Sequence, residues 1–237
     1  MPSDSLSTRA IASRSCLLAL GWIGITAALY GVGQFVVHSN AITDVDRHVT
    51  NWVVAHRTPA LDAMMRAVTW LGSWVTAVIA GGVIVVLTVT RRLRVAVPIL
   101  FAVAWAGEYA LVNLVKHAVG RPRPPRDLWL VTAHGASFPS GHAANATVVC
   151  AVGAVVVFLL TRRRPARATA VALGFLVIAA VSLSRVELGV HWTTDVVAGS
   201  LATAVWLTSM TVLFTAIGPG TGPGAHTDPS ASHRSTD

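Results

Sequence analysis

The stretch Ser184-Arg-Val-Glu-Leu-Gly-Val-His-Trp-Thr-Thr-Asp195 joins two long apolar runs of the sequence. It contains Arg185, whose guanidinium can bind an oxyanion, and His191, which lies four residues before Asp195. On a helix these last two positions share a face, so the carboxylate can hydrogen-bond the imidazole ring. A carboxylate on one ring nitrogen fixes the tautomer and leaves the other nitrogen free to attack or to bind. A single His-x-x-x-Asp is a weak signal, because a short polar loop can contain one without a function.

The composition is that of an integral membrane protein. Of the 237 residues, 54% are hydrophobic and only 12% are charged, whereas about a quarter of the residues in a soluble domain are charged. The mean hydropathy is +0.63, and runs of about 20 apolar residues, long enough to cross a bilayer, recur along the chain. We therefore predict an all-α, polytopic membrane helix bundle with about six transmembrane helices.

Six apolar runs are predicted to form these spans, and they cover approximately residues 16–37, 67–90, 95–116, 143–161, 168–184 and 194–217. The first run is long and lacks a clear cleavage site, which favours a span over a signal peptide. Residues 1–15 are predicted to be a cytoplasmic segment, and 16–217 a single six-span domain. The tail at 218–237 is rich in Gly, Pro, Ser and Thr, and we expect it to be disordered.

Two polar features lie outside the 184–195 stretch. The connection at 38–66 mixes apolar and polar residues and could lie along the membrane interface as a short helix. Within it, Asp44-Val45-Asp46 looks like a metal-binding Asp-x-Asp, but no third ligand follows at a fitting spacing, so we interpret it as a solvated helix start. Glu108 falls inside the third span, and we interpret it as a hydrogen-bonded interior carboxylate that holds helices together.

The net charge of +8 would suggest a nucleic-acid partner in a soluble protein. In this chain most arginines lie in short loops between apolar runs, where they set topology or meet anionic lipid head groups. Nucleic acid is therefore not an expected partner.

Cys16 and Cys150 lie inside apolar runs with no zinc spacing and no disulfide framework.

Strict alternation of six spans brings the polar stretches to one side of the membrane. Lys116 closes the third span, His142 opens the fourth, and the 184–195 stretch joins the fifth to the sixth. Because only helices with fully bonded backbones cross a bilayer, this convergence needs no further assumption about the fold. It is the strongest structural inference that the sequence supports.

The distribution of basic residues indicates which side this is. The opposite side carries ten of them: Arg9, Arg14, Arg91, Arg92, Arg94, Arg162, Arg163, Arg164, Arg167 and Arg234. The converging side carries the other eight. Three of these, Lys116, Arg123 and Arg185, have a chemical role to explain their position, so only five are counted for topology. The positive-inside rule then predicts cytoplasmic termini and an extracytoplasmic site.

Lys116, Arg123 and Arg185 would place three positive charges on one face, a cluster that suits a phosphate dianion. The alternative, anchoring to lipid head groups, explains the other two basic residues of the loop, and we assign Arg121 and Arg126 to it. Head-group anchoring does not explain two histidines beside three cations.

Ser140-Gly141-His142 precedes the fourth span. Ser140 occupies the N-cap position, so the backbone N–H groups after it face outward at the positive end of the helix dipole, which is a ready anion site. Gly141 would let the backbone approach a ligand closely.

Two histidines suit two roles in phosphoryl transfer. His191, oriented by Asp195, suits the nucleophile and would form a phosphohistidine. His142 suits the general acid that protonates the leaving alcohol and then the base that activates water. The carboxylates of a dedicated divalent-metal cage are missing from this face. We therefore predict chemistry without a metal or other cofactor.

Three motifs carry a family resemblance: Lys116-x6-Arg123-Pro124, Pro139-Ser140-Gly141-His142 and Ser184-Arg185-x5-His191-x3-Asp195. Without a mismatch, they resemble the three-part signature of the type-2 phosphatidic acid phosphatase superfamily, which comprises membrane lipid phosphatases and is related to soluble vanadium haloperoxidases. The motifs cover residues 116–195, and the six-span layout fits the membrane branch. The resemblance implies His142 as acid, His191 as nucleophile supported by Asp195, and five phosphate ligands: Lys116, Arg123, Ser140, Gly141 and Arg185.

Three functions stay open at this point. The first is a phosphatase that acts on a lipid such as phosphatidate, phosphatidylglycerol phosphate or polyprenyl pyrophosphate. The second is transfer of the phosphoryl group to an acceptor other than water, which the sequence does not distinguish from hydrolysis. The third is a non-catalytic lipid-binding or transport protein. The intact His142, His191 and Asp195 argue against the third, since a binding site needs only the cations.

Overall fold

The computed structural model describes the backbone of residues 3–216 and the side chains of residues 15–212. The helices of this part of the chain are α1 (Ser3–His38), α2 (Asn40–Ala55), α3 (Pro59–Val68), α4 (Trp74–Val89), α5 (Ala96–Val119), α6 (Gly141–Leu160), α7 (Arg164–Glu187) and α8 (Thr193–Ala216). Two 3-10 turns, Thr69–Gly72 and Arg126–Leu128, complete the regular structure of the described residues. The predicted disorder of the tail concerns residues 218–237, which lie outside them.

Five of these helices contain stretches long and apolar enough to cross a membrane: Ser15–His38, Ala96–Val119, Gly141–Leu160, Arg164–Glu187 and Thr193–Val212. Pro59–Gly72 and Trp74–Val89 meet at a bend of 48°, and together they pass the same test of length and composition as one broken span, which brings the number to six. The expected all-α bundle with about six spans is therefore confirmed. The prediction of one uninterrupted second span over 67–90 is wrong, because Ser73 adopts an extended conformation (φ −78°, ψ 160°) at the break.

The connection predicted at 38–66 folds as two helices rather than as one. The hydroxyl of Ser39 accepts a hydrogen bond from the backbone N–H of Ile42 and so caps α2. Thr58 caps α3 in the same way, through the N–H of Leu61, and Pro59 supplies a fixed φ at the first helical position. Both starts follow the usual N-terminal chemistry of helices.

The helix α6 is the centre of the bundle, and it packs against α4, α5, α7 and α8. Its first two turns after Gly141 are buried almost throughout because their side chains are small: Ala143, Ala144 and Ala146 are fully buried. Small residues let membrane helices approach closely. Towards the outside, the bundle exposes a large apolar surface, as a bilayer requires, with members such as Leu20, Phe35, Trp74, Val89, Ile99, Phe175 and Leu201.

Asn145 ties α6 to two neighbours. Its amide nitrogen donates to the carbonyl oxygens of Gly72 and Ser73, at 3.2 and 2.8 Å. Both carbonyls lie at the break in the second span, where the backbone needs partners. Its side-chain oxygen accepts from the indole of Trp105 on α5 at 2.9 Å. The break is therefore held by a specific polar contact inside the bundle.

Glu108 lies on the buried face of α5 and is only 3% exposed. This agrees with an interior carboxylate. However, within the described residues no hydrogen bond to this side chain is present, so the predicted hydrogen-bonding role is not observed.

The helices α6 and α8 meet at Gly199, where a side chain would not fit. A Cβ added to Gly199 would lie 2.5 Å from the carbonyl oxygen of Ser140. Backbone atoms cannot move aside as a flexible side chain can. Gly199 therefore sets the distance between α8 and the start of α6.

We expect Gly199→Ala to lower the thermal stability of the purified protein, because overpacking costs about 1–3 kcal/mol. The matched control is Gly153→Ala on α6, where an added Cβ meets nothing within 4 Å. That change should be neutral or slightly stabilising, since Ala is the better helix former. Melting temperatures of the two variants in the same detergent test this, and equal values would contradict it.

Candidate active site

Hydrogen bonds join the predicted stretches at one end of the bundle. Gly120 follows the last residue of α5 and caps the helix in the left-handed region, with φ +63°. The chain then forms a long loop that leads to α6. Within this loop, the N–H of Ser137 donates to the carbonyl of Arg121 at 2.8 Å. The N–H of Ser140 donates to the carbonyl of Asp195, at 2.9 Å, and so links the loop to α8. The predicted convergence of the three stretches is therefore observed.

A second set of contacts holds the loop against the α7–α8 junction. Arg57, which follows α2, donates to the carbonyl oxygens of Leu128, at 2.9 Å, and of Glu187. Gly189 lies in the left-handed region with φ +72°, and an added Cβ there would collide with the carbonyl oxygen of Leu128. The junction therefore requires glycine for both conformation and space.

The two tryptophans beside the site donate to proline carbonyls in this loop. Trp129 donates to Pro124 at 2.8 Å, and Trp192 donates to Pro122 at 2.9 Å. Their indoles thus fix the course of the proline-rich segment, whose prolines have no backbone N–H to donate.

His191 is buried between an acidic and a basic partner. Its Nδ1 lies 3.3 Å from Oδ2 of Asp195, and its Nε2 lies 3.1 Å from Nη1 of Arg123. A guanidinium can only donate, so Nε2 must be the acceptor and Nδ1 must carry the proton that faces the carboxylate. The geometry thereby selects the tautomer whose Nε2 lone pair is available.

The surroundings of His191 keep its ring neutral. Burial lowers the pKa of His191 well below its ordinary range, and four neighbouring groups lower it further: Lys116, Arg185, Arg123 and His142. All four groups therefore lie near this ring. A neutral imidazole is the form that can act as a nucleophile.

Backbone and side-chain oxygens orient the three cations. Nζ of Lys116 donates to the carbonyl of Ala136 at 2.8 Å, and Nη1 of Arg185 donates to the hydroxyl of Thr69 at 2.8 Å. Arg123 donates to four carbonyls of the adjoining loops, those of His134, Gly135, Ala136 and Val190. None of these neutral oxygens cancels a positive charge, so the charge stays available to an anion.

Two of the predicted phosphate ligands each have a polar side-chain atom that is buried without a partner in the described part of the chain. They are the hydroxyl oxygen of Ser140 and Nε of Arg185. Ser140 is the N-cap residue of α6, as predicted, yet its side chain makes no capping hydrogen bond. A buried donor without a partner costs about 1–3 kcal/mol. Both atoms are therefore suited to receive a ligand oxygen.

The assignment of Arg121 to lipid head groups is wrong. Arg121 is only 4% exposed, and its Nη1 donates to Oδ1 of Asp195 at 2.6 Å. Its Nη2 donates to Oδ2 of Asp46 at 2.7 Å. Arg126, assigned with it, is exposed and packs over the Trp129 ring.

The interpretation of Asp44-Val45-Asp46 as a solvated helix start is wrong for Asp46, which is fully buried. Asp44 is solvated, with 73% of its side chain exposed, but it lies beyond the first turn of α2, which begins at Asn40. The sequence contains one indication of this buried pair, because carboxylates lie on the converging side together with an excess of cations. Among the described residues, no group of three or more His, Cys, Asp or Glu side chains is arranged to hold a metal ion.

Comparison with known proteins agrees with this geometry. A family model described as the PAP2 superfamily matches residues 96–218, the range that contains every predicted site residue. Phosphatidylglycerophosphatase B of Bacillus subtilis is 28% identical over 172 residues, which are 69% of this chain and 80% of that protein. Lipid A 1-phosphatase of Rhizobium johnstonii is 35% identical over 130 residues, which are 47% of this chain and 48% of that protein.

Among solved structures, this chain is similar to a transmembrane PAP2 type phosphatidylglycerolphosphate phosphatase from Bacillus subtilis. The two align with a TM-score of 0.63 and 26% sequence identity, over 84% of this chain and 94% of the other.

The lowered pKa of His191 predicts how stability depends on pH. Below about pH 6.5 an unfolded chain protonates this histidine, whereas the folded protein does not until a lower pH, so folding loses stability as the pH falls. We expect the wild type to lose more thermal stability than His191→Gln between about pH 7.5 and 5.5. Melting temperatures measured across this range test it, and parallel curves would contradict the assignment of a neutral, buried His191.

Proposed function

The chain belongs to the PAP2 superfamily, and from this membership we propose that it is an integral membrane phosphatase that hydrolyses a lipid phosphate through a phosphohistidine intermediate. One observation carries the proposal. His191 presents an acceptor Nε2 to Arg123 while its Nδ1 faces Asp195, so the same donor that would bind a phosphate oxygen lies 3.1 Å from the attacking atom.

In the proposed first step, the Nε2 lone pair of His191 attacks phosphorus, and the bond from phosphorus to the lipid oxygen breaks. The charge on the equatorial phosphoryl oxygens is stabilised by Lys116, Arg123 and Arg185, together with the N-terminus of α6. Asp195 stabilises the positive charge that the imidazole acquires. His142, at that N-terminus, transfers its proton to the leaving lipid oxygen.

In the second step, water attacks the phosphohistidine. His142, now neutral, takes a proton from this water as the new oxygen–phosphorus bond forms and the bond to Nε2 breaks. Inorganic phosphate leaves, and both histidines return to their starting states. We assign different roles to the two histidines because, among the described residues, Nδ1 of His191 faces a carboxylate and no hydrogen bond joins His142 to one.

A lipid substrate suits the location of the site. His142 and Asp195 lie within the first turn of α6 and α8, so a phosphate at the helix ends can be reached while the acyl chains stay in the bilayer. The relatives named above are phosphatases of phosphatidylglycerophosphate and of lipid A. We propose a phosphomonoester of a glycerophospholipid as the preferred substrate, since the relative with the greater coverage carries that name.

The first test is release of inorganic phosphate by detergent-purified protein in the presence of EDTA. The substrates are phosphatidylglycerol phosphate, phosphatidate, polyprenyl pyrophosphate and a soluble phosphate ester. We expect release from a lipid phosphate by the wild type, unaffected by EDTA. The rate should fall by at least about 10³-fold in His191→Ala, because the nucleophile is lost.

The matched control is His117→Ala, since His117 is an exposed histidine at the end of α5 whose Nδ1 contacts only the carbonyl of Asn113. Its activity should equal that of the wild type. No release from any lipid by the wild type would contradict the hydrolase and favour a phosphotransferase or a binding protein. Rapid quenching with a radiolabelled phosphate substrate should also trap label on His191.

We further propose that the site faces the extracytoplasmic side, as the balance of arginines predicts. Thr132→Cys, in the exposed loop of the site, and Arg162→Cys, at the other end of α6, test this in a background without Cys16 and Cys150. A membrane-impermeant maleimide applied to intact cells should label the first variant and not the second. The reverse labelling would contradict the proposed orientation.

A further inference from the structure

We infer that Asp46 is a positioning residue for the nucleophile, and that it acts through Arg121 on the pair formed by Asp195 and His191. The inference rests on the proposed function of His191. Asp46 belongs to α2 and lies outside residues 96–218, the range matched by the family model. Asp46 lies outside the three sequence motifs, and Arg121 occupies only an unspecified position of Lys116-x6-Arg123.

The contacts form a continuous chain from α2 to the imidazole. Oδ2 of Asp46 accepts from Nη2 of Arg121 at 2.7 Å, and Nη1 of the same guanidinium donates to Oδ1 of Asp195 at 2.6 Å. Because a guanidinium is planar and rigid, the two carboxylates fix its plane between them. Arg121 therefore cannot rotate without breaking a buried ion pair on one side or the other.

This fixed guanidinium limits the freedom of Asp195. Its Oδ1 is committed to Arg121, while its Oδ2 accepts from the backbone N–H of Trp192 at 2.9 Å and faces Nδ1 of His191. A carboxylate held at both oxygens presents one orientation to the imidazole. The direction of the Nε2 lone pair thus depends on Arg121, and the direction of Arg121 depends on Asp46.

Charge and burial indicate why Asp46 is needed. The side chains of Asp46 and Asp195 are fully buried, and that of Arg121 is 5% exposed. Without Asp46, one half of the guanidinium would lose its charged partner in a site where water is largely excluded. Arg121 would then be free to adopt other rotamers, and Asp195 with it.

A purely structural role for Asp46 is the alternative. Its Oδ1 accepts from the backbone N–H of Thr194 at 3.0 Å, and its Oδ2 accepts from the Thr194 hydroxyl at 2.5 Å. In this alternative, Asp46 anchors the N-terminus of α8 to α2 and has no effect on His191. The two roles differ in a measurable way, because a positioning role requires Arg121, whereas anchoring through the backbone N–H of Thr194 does not.

The experiment measures kcat and KM with the lipid phosphate that the wild type hydrolyses. We expect Asp46→Asn to lower kcat by about 10-fold while KM changes by less than about two-fold, because the loss concerns the orientation of His191 and not phosphate binding. The matched control is Asp44→Asn, on the same helix and exposed, which should keep both constants at the wild-type value.

The decisive comparison repeats Asp46→Asn in an Arg121→Lys background. An ammonium is a point donor that cannot hold two carboxylates in one plane, so the bridge is already broken there. The second change should then alter kcat by less than about two-fold. Losses that multiply would assign Asp46 to anchoring and overturn the inference, as would an unchanged kcat in Asp46→Asn alone.

Melting temperatures show whether each variant is folded. If Arg121→Lys does not accumulate, the change in kcat and KM for Asp46→Asn decides between the two roles: a loss in kcat alone supports positioning, and a parallel loss of folded protein and of both constants contradicts it. A wild type without activity on any lipid phosphate is a different result, because it contradicts the proposed function itself.

Discussion

The buried carboxylate of Asp195 is the contact point on which the functional end of the bundle depends. Its side chain pairs with Arg121, accepts from the backbone of Trp192 and faces His191, while its carbonyl holds the N–H of Ser140. Burying an unpaired carboxylate costs several kcal/mol, so all these partners must be in place together. Asp195 thereby fixes both the orientation of His191 and the position of the start of α6.

The break in the second span is a second constraint of this kind. The break at Ser73, between the 3-10 turn Thr69–Gly72 and α4, leaves carbonyl oxygens that need donors within the bundle, and the amide of Asn145 donates to those of Gly72 and Ser73. In the same segment, the hydroxyl of Thr69 accepts a hydrogen bond from Arg185. The irregular backbone is thus tolerated because it is enclosed by protein, and it contributes directly to the orientation of a predicted phosphate ligand.

Much of this architecture follows from the sequence by simple physics. Apolar length predicts six spans, and alternation across the bilayer brings Lys116, His142 and His191 to one side. The buried pair of Asp46 and Arg121 could not be predicted in this way, because its members are 75 residues apart and charged residues in loops are usually solvated. The break at Ser73 was also missed, since a serine hardly changes the hydropathy of a run that stays apolar on both sides.

The separation of Asp46, Arg121 and Asp195 along the chain also orders the events of membrane insertion. Asp46 is synthesised 75 residues before Arg121, and Arg121 74 residues before Asp195. At about 5–20 residues per second, each interval lasts roughly 4–15 s. During that time the carboxylate of Asp46 has no Arg121 to pair with, and burying it unpaired would be costly. The ion-pair chain closes only after α8 has been synthesised, because Asp195 belongs to that helix, so the site is completed after the other described spans have been made.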